Sequence, residues 1–194
     1  MRAPLPRVYL ARHGETAWTV TGQHTGRTDL PLTAKGEEGA RRLGARLQGM
    51  SFSKVLTSPL QRAARTCALA GLGAGADPDA DLVEWDYGKF EGRTSAEIRA
   101  EQPEWDLFRD GCPGGESPAQ IAARADRVVA RLRALDGDTA LFSSAHFLRV
   151  LTARWLGLEV GAARFFILGT ASLSALTYEH DRSEPVVGLW NEQP

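Results

Sequence analysis

Arg12 and His13 lie side by side where an apolar stretch ends, within the segment LARHGETAW. A histidine with an ordinary pKa of about 6.5 is largely neutral near pH 7 and can act as a nucleophile. An arginine guanidinium can bind a phosphate through two parallel hydrogen bonds. These residue types leave two hypotheses open: a nucleophile beside an anion clamp, or a strand end with a surface arginine.

Further polar groups follow strand-like segments elsewhere in the chain. Ser58 and Arg62 lie in TSPLQRAARTC, Glu84 lies in LVEWDYG, and Ser144 and His146 follow TALFS. Ligands of parallel α/β proteins bind at the carboxyl ends of the strands, so these groups are expected at one edge of a sheet. Arginines, hydroxyls and helix amino termini are the groups that bind a phosphate dianion, so the pattern indicates a phosphate site.

The elements that must position these groups alternate between strand and helix. Apolar runs predict strands at 7–13, 54–59 and 139–145. Helices are predicted at 32–47 with Thr33 as N-cap, at 60–71, after Ser117 with Pro118 and Gln120 in a capping box, and at 146–158. Short helices are predicted at 94–102 and 103–111, a surface loop at 71–81, and closing strands at 164–169, 173–180 and 185–192. This alternation predicts an α/β fold with a parallel sheet covered by helices.

Composition limits the class of protein. The 194 residues are 43% hydrophobic and 24% charged, and 23 Lys and Arg against 24 Asp and Glu give a net charge of -1. This balance gives no indication of a nucleic-acid or membrane surface. Two cysteines cannot build a disulfide framework, and the N-terminal segment lacks the apolar core of a signal peptide, so we expect a cytoplasmic protein. No Cys/His cluster has metal-ligand spacing, so no metal is expected.

Six segments, taken in order, resemble the histidine phosphatase (phosphoglycerate-mutase-like) superfamily, and within it the small sedoheptulose-bisphosphatase-like phosphatases. These segments are LARHGETAW, GQHTGRTDLPLT, TSPLQRAARTC, EWDYGKFEG, PGGES and HFLRVL. The resemblance implies a three-layer α/β/α sandwich with a mostly parallel central sheet. It also implies a single histidine phosphatase domain over 1–194, with a cap-like insertion around 86–116.

The resemblance implies a role for each candidate residue. His13 is the expected nucleophile that forms a phosphohistidine, and Glu84 is the expected general acid. Glu84 and Asp86 lie two positions apart in an extended segment and alternation points both to one side, so this choice depends on the resemblance. The expected phosphate-binding and pocket-lining residues are Arg12, Thr19, Thr25, Gly26, Ser58 and Arg62. The family implies no cofactor.

One position departs from the family pattern. Many relatives carry His-Gly five and four residues before an arginine equivalent to Arg149, and this chain has Ser144 and Ala145 there. His146, three residues before that arginine, is expected to supply the second catalytic imidazole. The alternative is that Ser144 faces the phosphate and a positive partner is missing.

These observations predict a phosphomonoesterase that hydrolyses a small phosphorylated metabolite, a sugar phosphate or bisphosphate, through a phosphohistidine. Two alternatives stay open: a cofactor-dependent phosphoglycerate mutase, and a catalytically weak phosphate-binding regulatory protein. The mutase reading is disfavoured by the short chain, which leaves no room for the enclosing segments of dimeric mutases. His24 is a candidate for the pocket border, and Arg93, Arg99 and Arg109 are candidates for a second phosphate. Whether the protein is a monomer or a dimer does not follow from the sequence.

Overall fold

The computed structural model describes residues 4–193, whose strands form one six-stranded sheet of order β3-β2-β4-β1-β5-β6. The strands are β1 (Val8–Arg12), β2 (Lys54–Thr57), β3 (Ala76–Pro78), β4 (Thr139–Ser143), β5 (Leu173–Tyr178) and β6 (Pro185–Glu192). The helices are α1 (Ala17–Thr21), α2 (Ala34–Leu47), α3 (Gln61–Leu69), α4 (Ser95–Glu101), α5 (Leu107–Asp110), α6 (Pro118–Arg133) and α7 (Ala145–Trp155). No helix within 4–193 combines the length and apolar character needed to span a membrane.

The sheet is parallel at its centre, where the candidate residues lie. β1 pairs in parallel with β4, which pairs in parallel with β2, and Arg12 lies opposite Ser143 at the carboxyl ends. β5 and β6 are antiparallel and extend the sheet beyond β1. The predicted fold class, a mostly parallel sheet between helices, is confirmed.

Side chains on the two faces of the central strands pack into two separate hydrophobic cores. On β1, Val8 and Leu10 join the core that contains residues of α6 and α7, whereas Tyr9 and Ala11 join the core that contains residues of α2 and α3. Because side chains of a strand point alternately to opposite faces, both faces of the sheet need a covering layer. The three-layer arrangement follows from this requirement.

The helix starts follow the predicted capping chemistry. The Thr33 hydroxyl accepts a hydrogen bond from the Gly36 amide at the start of α2. Ser117 and Gln120 form a capping box at the start of α6, with Pro118 as the first helical residue. Each cap pairs backbone amides that a helix start otherwise leaves without an acceptor.

Two predictions of secondary structure were wrong. Segment 164–169 is not a strand: a 3₁₀ segment occupies Val160–Phe165, and Phe165 and Ile167 are 78% and 73% exposed. β5 pairs with β1 on one side and β6 on the other, and segment 164–169 is not among the strands of the sheet. Within the predicted loop 71–81, Ala76–Pro78 forms the edge strand β3, where a proline without an amide hydrogen is tolerated.

Two smaller differences concern short helices. The helix α1 was not predicted, and the short helix expected over 103–111 is reduced to Leu107–Asp110. Both are held by local caps, Thr16 for α1 and Asp106 for α5. Helices this short have little intrinsic stability. They also span little more than one turn, so no repeated apolar spacing in the sequence predicts them.

The turn after β1 is fixed by direct backbone contact with α2. A Cβ atom on Gly14 would lie 2.4 Å from the carbonyl oxygen of Gly36, and one on Gly36 would lie 2.1 Å from the carbonyl oxygen of Glu15. These distances are far below van der Waals contact, so both positions need glycine. The two glycines let α2 pack directly against the segment that carries His13.

We expect Gly36→Ala to lower the free energy of unfolding by about 2 kcal/mol, because the new methyl group meets backbone that has no rotamer to adopt. Alanine is ordinarily favoured over glycine inside a helix by about 1 kcal/mol, so the sign is opposite to helix propensity. Urea denaturation measures the change. Gly161→Ala is the control, because a Cβ there has no heavy atom within 4 Å. Equal stability of the two variants would contradict the contact.

Candidate active site

A pocket of about 240 Å³ lies at the carboxyl ends of β1 and β4 and contains six of the predicted residues. Those six are Arg12, His13, Thr19, Thr25, Glu84 and His146. The pocket is completed by Trp18, Gly22, Gln23, His24, Tyr87, Ser95 and Ala145. The other four predicted residues, Gly26, Ser58, Arg62 and Ser144, are not among the lining residues. The loop positions thus converge with the strand ends, as expected for a parallel sheet.

His13 is held in one tautomer by the turn that follows it. Its Nδ1 lies 2.8 Å from the Gly14 carbonyl oxygen, which can only accept, so Nδ1 carries the hydrogen and Nε2 keeps its lone pair. The side chain is 3% exposed, and its pKa is well below the ordinary value because of burial and the charges of Arg12 and Arg62. The imidazole is therefore neutral near pH 7, with a free nitrogen that can attack an electrophile.

The Arg12 guanidinium lines the pocket beside His13. Its Nη1 donates to the Leu168 carbonyl oxygen at 2.5 Å, and its Nε is buried without a hydrogen-bond partner among residues 4–193. Burial lowers the pKa of Arg12, partly offset by the Glu84 carboxylate, but an arginine stays charged at any physiological pH. A half-buried guanidinium with N–H groups that have no partner among residues 4–193 is suited to binding an anion.

Arg62 is fully buried and organises the loop that borders the pocket. Its Nη1 donates to the Thr28 carbonyl oxygen, and its Nη2 donates to those of Thr25 and Gly26. Burial lowers its pKa, with Glu84 opposing. Gly26 is required here, because a Cβ atom would lie 2.6 Å from the Trp85 carbonyl oxygen. In the structure this arginine holds loop carbonyls, and its Nε has no partner in the described chain.

Glu84 is oriented by the start of α7. Its Oε1 accepts from the Trp85 and Phe147 amides at 2.9 and 2.7 Å, and its Oε2 accepts from the His146 amide at 3.0 Å. Helix N-terminal amides favour negative charge, so this position suits a carboxylate. Asp86 instead pairs with Arg27 at 2.6 Å and does not line the pocket. The structure therefore separates the two carboxylates that the residue pattern left equivalent.

Ser144 and His146 occupy different surroundings. Ser144 is the N-cap residue of α7, yet its buried Oγ makes no hydrogen bond within the described chain. The His146 side chain lines the pocket, and its Nδ1 lies 2.6 Å from the Tyr87 hydroxyl. Burial, followed by the charge of Arg149, holds the pKa of His146 well below its ordinary value. Of the two alternatives, His146 is the one whose side chain borders the pocket.

The hydroxyl groups of Thr19, Thr25 and Ser58, which were predicted to bind phosphate or line the pocket, already make hydrogen bonds within the protein. The Thr19 hydroxyl accepts from the Thr16 amide and donates to the Thr16 carbonyl oxygen, which closes the start of α1. The Thr25 hydroxyl donates to the Gln23 carbonyl oxygen at 3.3 Å. Ser58 is fully buried, and its Oγ accepts from the Leu60 amide. Thr19 and Thr25 thus line the pocket with hydroxyls that are bonded to the backbone, whereas Ser58 lies outside the lining.

Tyr87 is one of the pocket residues that the site prediction missed, although it lies in the quoted EWDYGKFEG segment. Its ring centroid is 4.6 Å from that of His24, which is 8% exposed and was a candidate for the pocket border. The His24 Nε2 lies 3.2 Å from the Ser95 hydroxyl. Burial, with a smaller effect of Arg99, lowers the pKa of His24 to about 4. The distal wall of the pocket is thus aromatic and uncharged near pH 7.

Because His24 has a lower pKa when folded than the unfolded value of about 6.5, it stabilises the fold above pH 6.5 and loses that contribution as pH falls toward 4. Between pH 7 and pH 5 this loss amounts to about 2 kcal/mol. We expect His24→Gln to reduce the pH dependence of the free energy of unfolding by that amount. Urea denaturation at both pH values measures it, and parallel profiles for the two proteins would contradict the expectation.

Comparison with known proteins assigns the chain to a family. The chain matches the histidine phosphatase superfamily (branch 1) over residues 8–193. It is 40% identical to an acid phosphatase of Mycobacterium tuberculosis (strain ATCC 25618 / H37Rv), covering 94% of this chain and 92% of that protein. It is 35% identical to sedoheptulose 1,7-bisphosphatase of Saccharomyces cerevisiae (strain ATCC 204508 / S288c), covering 80% and 69%. A solved Mycobacterium tuberculosis structure superposes with a TM-score of 0.91 at 36% identity over 97% of this chain and 98% of that one. The chain belongs to the histidine phosphatase superfamily.

Proposed function

We propose that the protein is a phosphomonoesterase that hydrolyses a small phosphorylated metabolite, a sugar phosphate, through a phosphohistidine at His13. The observation that carries this proposal is the neutral His13 imidazole, whose Nδ1 is bound by Gly14 and whose Nε2 is free. It shares one pocket with Arg12 and Glu84. The acid phosphatase and sedoheptulose bisphosphatase relatives support the reaction class and the substrate class.

In the first step, the Nε2 lone pair of His13 forms a bond to phosphorus as the bond from phosphorus to the ester oxygen breaks. Glu84 in its protonated form transfers its proton to that oxygen, so the leaving group departs as an alcohol. Arg12, which lines the pocket, donates to the equatorial oxygens. The charge of Arg62, which also lowers the pKa of His13 and so acts at the site, adds to their stabilisation. The loss of one preorganised donor typically costs about 3 kcal/mol.

In the second step, water attacks phosphorus and the bond from phosphorus to Nε2 of His13 breaks. The Glu84 carboxylate takes a proton from that water, so inorganic phosphate leaves and the enzyme returns to its starting state. The Nδ1 hydrogen bond to the Gly14 carbonyl supports the imidazole while its Nε2 carries the phosphoryl group. His146 is the additional donor that we assign to the phosphate.

We further propose that segment 86–116 covers the leaving group. A pocket of about 240 Å³ suits a small metabolite. Two of the arginines considered for a second phosphate are in ion pairs, Arg93 with Glu101 and Arg109 with Asp110, and Arg99 donates to the Trp105 carbonyl oxygen. All three arginines thus already have partners within the protein. Comparing the hydrolysis of a hexose monophosphate with that of the corresponding bisphosphate tests whether a second phosphate is recognised.

The location is proposed from the cysteines. Cys67 and Cys112 are both buried free thiols, and burial raises the pKa of each to about 12. Unpaired, unreactive thiols are typical of a reducing compartment, so we propose that the protein is cytoplasmic.

Phosphate release from a panel of sugar phosphates and from p-nitrophenyl phosphate tests the function. We expect the wild type to hydrolyse both kinds of substrate and His13→Ala to hydrolyse neither. Transfer of phosphate from 2,3-bisphosphoglycerate to monophosphoglycerate would instead indicate a mutase. The remaining alternative is a catalytically weak phosphate-binding protein, which is suggested by the serine at position 144 where relatives carry histidine. A wild-type protein that is inactive across the whole panel would favour this alternative.

The assignment of the general acid predicts a leaving-group dependence. We expect Glu84→Gln to lower kcat roughly 10²- to 10⁴-fold on a sugar phosphate, whose alkoxide needs a proton to leave. The loss should be much smaller on p-nitrophenyl phosphate, because p-nitrophenolate leaves without protonation.

Asp86→Asn is the matched control for Glu84→Gln, because Asp86 lies two residues away and pairs with Arg27 outside the pocket. We expect its kcat to stay within about threefold of the wild type on both substrates. An equal loss on both substrates for Glu84→Gln would contradict the acid role, since a purely structural defect does not depend on the leaving group.

A further inference from the structure

The buried Tyr87 and the half-buried His146 form a hydrogen-bonded pair that the reaction as written does not explain. The Tyr87 hydroxyl lies 2.6 Å from Nδ1 of His146, although the two residues are 59 positions apart in the chain. Tyr87 is 2% exposed, and both side chains line the pocket that holds His13 and Glu84. A hydrogen bond this short between side chains of distant segments fixes the orientation of the imidazole ring.

The direction of this hydrogen bond follows from the protonation states. Burial raises the pKa of Tyr87 well above its ordinary value and holds that of His146 well below its own, so both groups are neutral near pH 7. A neutral phenol that donates its hydrogen to Nδ1 leaves the hydrogen of the imidazole on Nε2. The Tyr87 hydroxyl thus selects the His146 tautomer that carries its hydrogen on Nε2.

The ring of His146 is also confined by its neighbours. Its centroid lies 5.6 Å from that of Phe108 and 5.9 Å from that of His24. Its own backbone amide donates to Glu84 Oε2, so the residue is tied at the backbone and at Nδ1. Of the two ring nitrogens of His146, Nε2 is the one that these contacts with residues 4–193 leave free to meet a ligand.

We propose that Tyr87 is a positioning residue that holds His146 with a hydrogen on Nε2, so that Nε2 donates to an oxygen of the bound phosphate. Through this pair the chain supplies an imidazole donor to the pocket although Ser144 occupies the position where relatives carry histidine. The inference rests on the proposed phosphatase function and adds the residue that sets the protonation pattern of the second imidazole.

Tyr87→Phe tests the assignment because it removes only the hydroxyl. We expect kcat on a sugar phosphate to fall roughly five- to tenfold, as for the loss of one neutral hydrogen bond, with KM nearly unchanged. Tyr178→Phe is the matched control, because Tyr178 is also buried, at 5% exposed, but lies on β5 and does not line the pocket. An unchanged kcat in Tyr87→Phe would overturn the proposal.

A double-mutant cycle separates action through His146 from direct contact with substrate. In a His146→Ala background, Tyr87→Phe should cause no further loss if Tyr87 acts through the imidazole. Losses that multiply would show that the Tyr87 hydroxyl acts independently on the substrate, and would overturn the positioning role.

Nitrogen-15 NMR of the labelled wild type at pH 7 reads the tautomer without reference to activity, with His146→Ala used for assignment. We expect an unprotonated Nδ1 and a protonated Nε2 on His146, and a shift toward mixed tautomers in Tyr87→Phe. A protonated Nδ1 in the wild type would overturn the proposal. Absence of hydrolysis would contradict the proposed function alone, because the spectrum still reports on this hydrogen bond.

Discussion

The hydrogen bond from His13 Nδ1 to the Gly14 carbonyl is the constraint on which the site depends, because it decides which ring nitrogen is free. The turn that makes this bond is closed by α2, whose Gly36 contacts the backbone of Glu15. The same turn is anchored by the His13 amide, which donates to the Ser143 carbonyl oxygen of β4. A backbone arrangement, rather than a neighbouring acid, therefore orients the proposed nucleophile of this histidine phosphatase.

The charged groups around His13 are held largely by backbone atoms as well. Arg62 donates to loop carbonyls, and Glu84 accepts from amides at the start of α7. Backbone partners cannot change rotamer, so the charges are preorganised before a substrate arrives, which is the condition for electrostatic stabilisation of a transition state. The burial that this requires also keeps His13, His24 and His146 neutral, since it lowers the pKa of each imidazole.

The central part of the fold was predictable, because β1 and β4 are apolar runs and α2 and α6 carry explicit capping residues. The edge strand β3 was not, because three residues of mixed character carry no periodic signal. The apolar run 164–169 was wrongly predicted as a strand, because Phe165 and Ile167 stay exposed and do not pack into a sheet. In the site, residue types near strand ends predicted four of the pocket residues, Arg12, His13, Glu84 and His146, and the family resemblance added Thr19 and Thr25. The contact of Tyr87 with His146 depends on the packing of distant segments, which spacing does not report.

The most direct test of this account is a rapid-quench experiment with a substrate labelled on its phosphate with phosphorus-32, stopped in base during turnover. Peptide mapping of the quenched protein should locate the label on the histidine at position 13, and His13→Ala should stay unlabelled. Label on any other side chain, or a wild type that turns over without becoming labelled, would contradict the central claim.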